Sequence, residues 1–445
     1  MNGTISDSSG GSDGLHLLRA LRSRNYRLYF FGQGLSLIGT WMTYLATAWL
    51  VYRLTHSAVL LGVVGFSGQI PACLLSPLAG VLVDRWSRYR VLVITQVLSM
   101  LQSLALAVLT LTHLITIPHI IALSIFQGLI NAFDIPARQA FVIELVEGPE
   151  DLGNAIALNS SIFNGARLIG PSLAGLMIAA TGEGICFLID GLSYLAVLAA
   201  FCGMRLSSAE RRAQPRSLLR EITEGFTYVF GFQPITAILG LLALVSLAGI
   251  PYTVLMPVFA REILHGGATT LGFLMGASGL GSLAGALYLA SRKTVVGLAR
   301  LITLATAMFG GSLIAFAMSR VLWLSLLLML LVGFGMLLQL AASNTIIQTI
   351  VAEDKRGRVM SFYAMAFMGV APFGSLLAGS LAGRIGAPQT LLIGGCGCVV
   401  GALLFARELP RLRAIIRPIY VSKGILPEVA QGLQATVNLL VPPEE

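Results

Sequence analysis

The sequence predicts an all-α membrane protein of twelve transmembrane helices in two six-helix bundles, with both termini cytoplasmic. Composition, run length and charge placement each lead there. The 445 residues are 56% hydrophobic and 11% charged, with mean hydropathy +0.84, whereas a soluble domain is about a quarter charged. Apolar runs stand at 26–52, 57–83, 90–112, 118–141, 152–180, 184–204, 233–259, 269–290, 297–318, 321–348, 358–382 and 386–406, and a helix needs ~20 such residues to cross the hydrocarbon. The runs are continuous, unlike the alternating segments of roughly ten residues in a β-barrel. With the termini inside, 24 of the 29 Lys and Arg residues face the cytoplasm, four (Arg53, Arg261, Arg320 and Arg384) face out, and Arg167 lies within a span. Such asymmetry sets orientation. It also explains the net charge of +9 through topology and the lipid bilayer, with no nucleic-acid partner required.

The elements follow in order. Residues 1–25 are polar, Gly/Ser-rich and then basic, read as a disordered cytoplasmic tail lacking the apolar core and cleavage site of a removable signal. Residues 26–204 hold the first six spans. Residues 205–232 form a cytoplasmic linker that begins Arg-rich; its Leu218, Leu219, Ile222, Phe226, Val229 and Phe230 recur at helical spacing, predicting an amphipathic interfacial helix. Residues 233–407 hold the second six spans. Residues 408–445 form a cytoplasmic tail in which Leu426, Val429, Leu433, Val437 and Leu440 can share one face of a short helix. A shift of 204 aligns Glu150 with Asp354, Gly175 with Gly379 and Gly182 with Gly386. A duplicated six-plus-six chain is the architecture of transporters, in which two bundles rock about a midplane site. The five cysteines (Cys73, Cys186, Cys202, Cys396 and Cys398) fall in or beside apolar runs. Without a second Cys or His cluster they read as packing residues, so no metal and no cofactor are expected.

The most specific motif follows the second span, "GVLVDRWSRYR". Through Gly80, Asp84, Arg85 and Arg88 it resembles the cytoplasmic motif of the major facilitator superfamily, and the spans, central loop and orientation fit that fold over essentially the whole chain. The resemblance implies a cytoplasmic latch: Asp84 facing the positive N-terminal end of the eleventh helix, near Gly357 to Met360, when that side is closed. Tyr89 stands between Arg88 and Arg90 where relatives have adjacent basic residues, and "GALYLASRKTVVG" keeps Arg292 and Lys293 without an acid, so the latch belongs to the first half. The fifth span, "NGARLIGPSLAGLM", looks like the Gly-Pro motif of exporters through Gly165, Gly170, Pro171 and Gly175. Together with "NAFDIPARQAF" it is most similar to the enterobactin and macrolide efflux branch. In that arrangement the acid of helix four engages the last arginine of the loop motif, which here pairs Asp134 with Arg88 and leaves Arg138 to close the cluster.

Two polar stripes predict a solvated cavity. Gln33, Ser36, Thr40, Thr43 and Thr47 share a face of the first span; Ser124, Gln127, Asn131, Asp134 and Arg138 share one of the fourth. Polar faces in a membrane point inward or to water, with helix–helix hydrogen bonding the alternative. Arg167, Asn344 and Met365 complete the expected substrate cavity, where Arg167 could bind an anionic group or equally bond to backbone carbonyls across helices. Asp190 and Asp134 are the proton-coupling candidates, since an intramembrane acid is functional by default. The arginine that drug/proton antiporters carry before the "QG" of helix four is replaced by Ser124, so coupling is not inherited from them. No nucleophile–base set or phosphate loop is present, which argues against an enzyme. The resemblance implies a monomeric exporter in the bacterial inner (plasma) membrane, moving a small amphipathic molecule such as a siderophore, drug or metabolite by alternating access and proton antiport. A lysophospholipid flippase, or a sensor or assembly factor that does not transport, are the rival readings.

Overall fold

The structure, a computed structural model, describes residues 19–146, 148–205, 226–292, 294–423 and 425, without the side chains of Pro77, Val81, Asp84, Pro149, Glu150 and Asp354. The linker positions Leu218, Leu219 and Ile222, the tail positions from Leu426 to Leu440, and Lys293 lie outside the described residues. Among the described residues, twelve helices are long and apolar enough to cross a membrane. They are α1 (Arg24–Thr55), α2 (Ala58–Arg85), α3 (Arg88–Leu111), α4 (Ile117–Glu144), α5 (Pro149–Thr181) and α6 (Glu183–Gly203) in the first half. The second half contains α7 (Gln233–Ile263), α8 (Ala268–Ser291), α9 (Leu298–Met318), α10 (Leu322–Ile350), α11 (Lys355–Ile385) and α12 (Ala387–Ser422).

Local chemistry explains the element ends. The Ser23 and Ser57 hydroxyls accept from the first-turn amides of Tyr26 and Leu60, capping α1 and α2. Proline stands in the first turn of α4, α5, α7 and α12, where no intrahelical donor is lost. The α5–α6 and α11–α12 turns each pivot on one glycine, Gly182 (φ +85°) and Gly386 (φ +90°), in backbone that side chains resist. These two glycines are a matched pair under the 204-residue repeat.

Four helices depart from simple spans. Helix α4 runs through Pro136 to Glu144, so Asp134 is ten residues, ~15 Å, inside the helix end instead of at it. Helix α12 continues past 407 to Ser422 because Leu409, Leu412, Ile416 and Tyr420 keep one apolar face buried. Lys423 then donates to the Thr349 carbonyl of α10 at 2.6 Å. In the second half, α7 and α11 contain widened π turns at Val245–Gly249 and Met365–Gly369. Pro251 and Pro372 follow them closely, and a proline lacks the donor that a regular ladder needs. The two widened turns are tied together where the Ser246 hydroxyl donates to the Phe367 carbonyl.

The halves meet on the side away from the termini. There α2 crosses α11 with Gly62 against Gly379: a Cβ at Gly62 would lie 2.9 Å from the Gly379 Cα. Likewise α5 crosses α8, and a Cβ at Gly175 would lie 2.9 Å from the Gly272 Cα. Small residues allow this backbone approach, which is how membrane helices associate closely. Gly175 and Gly379 are again matched by the repeat. Phe66 edges onto Phe373 (5.9 Å between centroids), and the Cys73 thiol lies 3.5 Å from the Gly369 carbonyl, at the lower end of the α2–α11 contact. Nearer the termini the halves part. Among the described residues, a Cβ at Gly80, Gly153, Gly165 or Gly357 would meet nothing within 4 Å. The result is a cleft open on the terminus side and closed on the far side.

Gly62→Leu or Gly175→Leu should separate the far side. An overpacking cost of ~1–3 kcal/mol shifts the closed-to-open ratio by ~5- to 150-fold. We expect faster labelling of a Ser375→Cys thiol by an impermeant reagent added on the far side. Unchanged labelling in a folded variant would contradict the crossing's role.

Candidate functional site

The closed end of the cleft is built around one cation. Arg167 projects from α5 just below the α5–α8 crossing, where the Gly279 position of α8 packs on its carbonyl. Its guanidinium lies 5.7 Å from the Trp41 ring centroid and 3.8 Å from the Met336 sulfur on α10. Trp41 is edged by Tyr44 and Phe163, both with centroids at 5.8 Å. The Tyr44 hydroxyl reaches across to Thr253 on α7 at 3.4 Å. Among the described residues no carboxylate pairs with Arg167, so a cation and an aromatic wall stand together at the apex. The sequence contained the signal for this wall in Trp41, Tyr44 and Phe163, which lie near Arg167 only once α1 and α5 cross at Gly170.

The first-span stripe does not line the cleft as a unit. Thr40 is exposed, one turn before Tyr44, and its hydroxyl bonds to the Ser36 carbonyl (3.0 Å) and lies 3.4 Å from the Tyr194 hydroxyl of α6. Gln33 and Ser36 are buried in the first bundle. The Thr43 hydroxyl is also buried and close to Asp190. The expected cavity role of Gln33, Ser36 and Thr43 therefore gives way to packing between helices. The physical reason is that α1 turns this face to α6, where Gly32 and Gly39 allow close contact.

The fourth-span stripe turns the same way, toward α3. Gln127 donates to Ser99 at 3.3 Å and to Asn131 at 3.1 Å. Asp134 is 3% exposed and accepts from Thr95 and Gln96, both at 2.8 Å, and from Arg138. The partner surface is a buried stripe on α3 formed by Thr95, Gln96, Ser99, Gln102 and Ser103, which sequence reading missed. Its spacing in "TQVLSMLQS" is helical, but the residues are uncharged and sit in a strongly apolar span. Ser103 carries the stripe on to α6, donating to Asp190 at 2.7 Å. The second Asp190 oxygen is buried with no hydrogen-bond partner, facing Gly39 at a spot where a Cβ would lie 2.8 Å away. Asp190 thus lies inside the first bundle and, among the described residues, has no cation bonded to it.

The expected Arg88–Asp134 pair is not formed. Arg88 bonds to Glu144 at 2.7 Å and the Ala140 carbonyl at 3.4 Å, while Asp134 bonds to Arg138. Register explains the correction: α3 and α4 are antiparallel, so Arg88 at the start of one faces Glu144 at the end of the other, and Asp134 faces Thr95. Arg85 is exposed at the end of α2, and the Asp84 side chain lies outside the described residues. Among the described residues, no atom lies within 4 Å of where a Cβ at Gly80 or Gly357 would stand. In the Gly-Pro stretch, Gly170 packs α5 on α1, Gly175 packs it on α8 beside the Pro171 carbonyl, and Gly165 faces open space. In the second half, Asn344 is half-buried and accepts from Gln348, while Met365 is exposed on its widened turn.

Two six-helix bundles around a one-sided cleft define a membrane transporter of the major facilitator type. The family model of transmembrane secretion effectors matches residues 17–420, and the chain belongs to that family. It is 28% identical over 382 residues to the staphyloferrin A transporter of Staphylococcus aureus, covering 85% of this chain and 94% of that one. It is 30% identical over 396 residues to the multidrug efflux pump Tap of Mycolicibacterium fortuitum, covering 85% and 93%. Among solved structures, a bacterial homologue of the human lysosomal transporter Spinster, inward-facing and unoccupied, superposes with TM-score 0.66 at 13% identity, covering 91% of this chain and 99% of that one. That likeness shows the fold. The family is one of transporters, not enzymes.

The buried pair generates a stability test. Asp134→Asn leaves Arg138 without its counter-charge, and breaking a buried pair costs ~3–5 kcal/mol. Because the Arg138 side chain is 25% exposed, the loss should fall at the lower end. We expect a lower unfolding midpoint in detergent, partly restored in the Asp134→Asn/Arg138→Gln double variant. A double variant no more stable than the single would contradict the pairing.

Proposed function

We infer that the protein is a secondary active exporter of a small amphipathic organic compound bearing an anionic group, of siderophore type. Arg167 carries this reading. A guanidinium without a carboxylate partner, edged by aromatic rings and Met336, suits a molecule with a charged end and an apolar body. The similarity to a siderophore transporter and to a drug efflux pump supports outward movement of such compounds. In this reading the positive-inside distribution puts the open mouth in the cytoplasm of a bacterial cell. Substrate enters there as the protein, working as a monomer in the inner membrane, alternates between two openings. Asp84 and the α11 end are the proposed latch that meets when the mouth closes, with Gly80 allowing their approach and Arg88–Glu144 and Asp134–Arg138 bracing the helices beside it.

Proton antiport is part of the same reading, with Asp190 as carrier. Asp134 has a cation and two neutral donors, which satisfy its charged form. Asp190 accepts from Ser103 and has the neutral Thr43 hydroxyl close by, with no cation bonded to it among the described residues. A buried carboxylate without a cation is costly, and taking up a proton removes that cost. Tyr194 lies next along α6 and touches the exposed Thr40, which offers a short link to the cleft.

Transport into inside-out vesicles tests both parts. A carboxylate-bearing siderophore should accumulate, and Arg167→Gln should lower its apparent affinity ~10- to 100-fold, the worth of a charge-assisted hydrogen bond. Arg167→Lys should lose less. Uptake of every anionic compound unaffected by Arg167→Gln would remove the anion reading. Asp190→Asn should leave binding intact and bring ΔpH-driven uptake down to the rate without a gradient. Full ΔpH stimulation in that variant would remove Asp190 as carrier.

A further inference from the structure

The extension of α12 creates a second site, away from the cleft. Where it passes the first turns of α9 it leaves a groove of about 380 Å³ whose walls include Arg300, Thr303, Leu304, Leu409 and Arg413. We propose that this groove binds an anionic phospholipid of the surrounding leaflet, its phosphate between Arg300 and Arg413 and an acyl chain along Leu304.

Charge is the first ground. Two guanidiniums line one small groove, and among the described residues neither has a hydrogen-bond or ion-pair partner. Among the described residues no acid pairs with them, and the carboxylate of Glu408 accepts from Gln233 of α7 at 3.2 Å. The exposed Arg407, Arg411 and Arg417 on the same extension add to the positive field.

Shape and depth are the second ground. Leu304, one turn beyond Arg300, is 57% exposed. Leu409 and Ala406 form apolar wall on the α12 side. The last apolar span gives way to charge at Arg407, so the groove straddles the boundary between headgroups and hydrocarbon. A free phosphate would satisfy the arginines and leave the apolar wall bare; a neutral lipid would do the reverse. Basic pockets between membrane helices at this level select acidic headgroups. Occupancy would fasten the α12 extension to α9, while Lys423 already fastens its end to α10, a helix of the cleft.

Purified full-length protein tests this by native mass spectrometry with phosphatidylglycerol and phosphatidylcholine. We expect retained phosphatidylglycerol, reduced about tenfold or more in Arg300→Gln/Arg413→Gln, since each interfacial arginine contributes ~1 kcal/mol. Arg411→Gln, on the same extension but outside the groove, should retain it. Equal loss in Arg411→Gln would mean diffuse attraction and overturn the site; displacement by millimolar inorganic phosphate would mean a free-anion site and overturn the lipid. A second measurement keeps every arginine. In Leu304→Trp, brominated phosphatidylglycerol should quench the added indole fluorescence more strongly than brominated phosphatidylcholine. Equal quenching would overturn the proposal.

Discussion

Two backbone-to-backbone crossings set the shape of this protein. Where Gly62 meets Gly379 and Gly175 meets Gly272, no side chain separates the halves. In hydrocarbon there is no water to expel between helices, so such contacts rest on close packing itself. Both crossings lie on one side, and this leaves a cleft on the other. The Arg167 cation sits directly beneath the second crossing, so the same helix that closes the far side carries the charge at the apex. A change in one crossing is therefore felt at the site without any intermediary.

The two halves solve the problem of buried polarity differently. In the first, the α3 stripe joins α4 and α6 through hydrogen bonds from the Asp134 cluster to Asp190. Satisfied polar networks in a low dielectric stiffen the helices that share them, which suits a bundle that moves as a body. In the second half, α7 and α11 carry widened turns and prolines, with the Ser246 hydroxyl donating to the Phe367 carbonyl and Gly374 packed on Leu247 and Pro251. Such interruptions are where membrane helices bend. The cleft thus lies between a braced wall and a more compliant one.

Much of this was legible in the residues. Run lengths revealed twelve spans, and the repeat offset picked out Gly175, Gly379, Gly182 and Gly386, which are the crossing and turn glycines of both halves. What periodicity could not say was which neighbour a polar face meets. Gln33, Ser36 and Thr43 share a face, as expected, but that face turns to α6. Asp134 was expected at the cytoplasmic end of helix four, level with the loop motif, yet the apolar face carries α4 on to Glu144 and places the acid opposite Thr95. The α3 stripe escaped notice because serine, threonine and glutamine barely lower the hydropathy of a long span. Pairing across helices depends on register, and register is a property of the assembled bundle.

The central claim is that the far-side contact and the open mouth exchange as one motion. Spin-label distances test it most directly, in a chain whose native cysteines are replaced. One label pair would span the mouth, Ser87→Cys with Ser361→Cys, and a second the far side, Leu54→Cys with Arg384→Cys. On adding a transported compound or imposing acid pH, the expected result is a shorter distance across the mouth together with a longer one across the far side. A mouth that closes while the far-side distance stays fixed would contradict it.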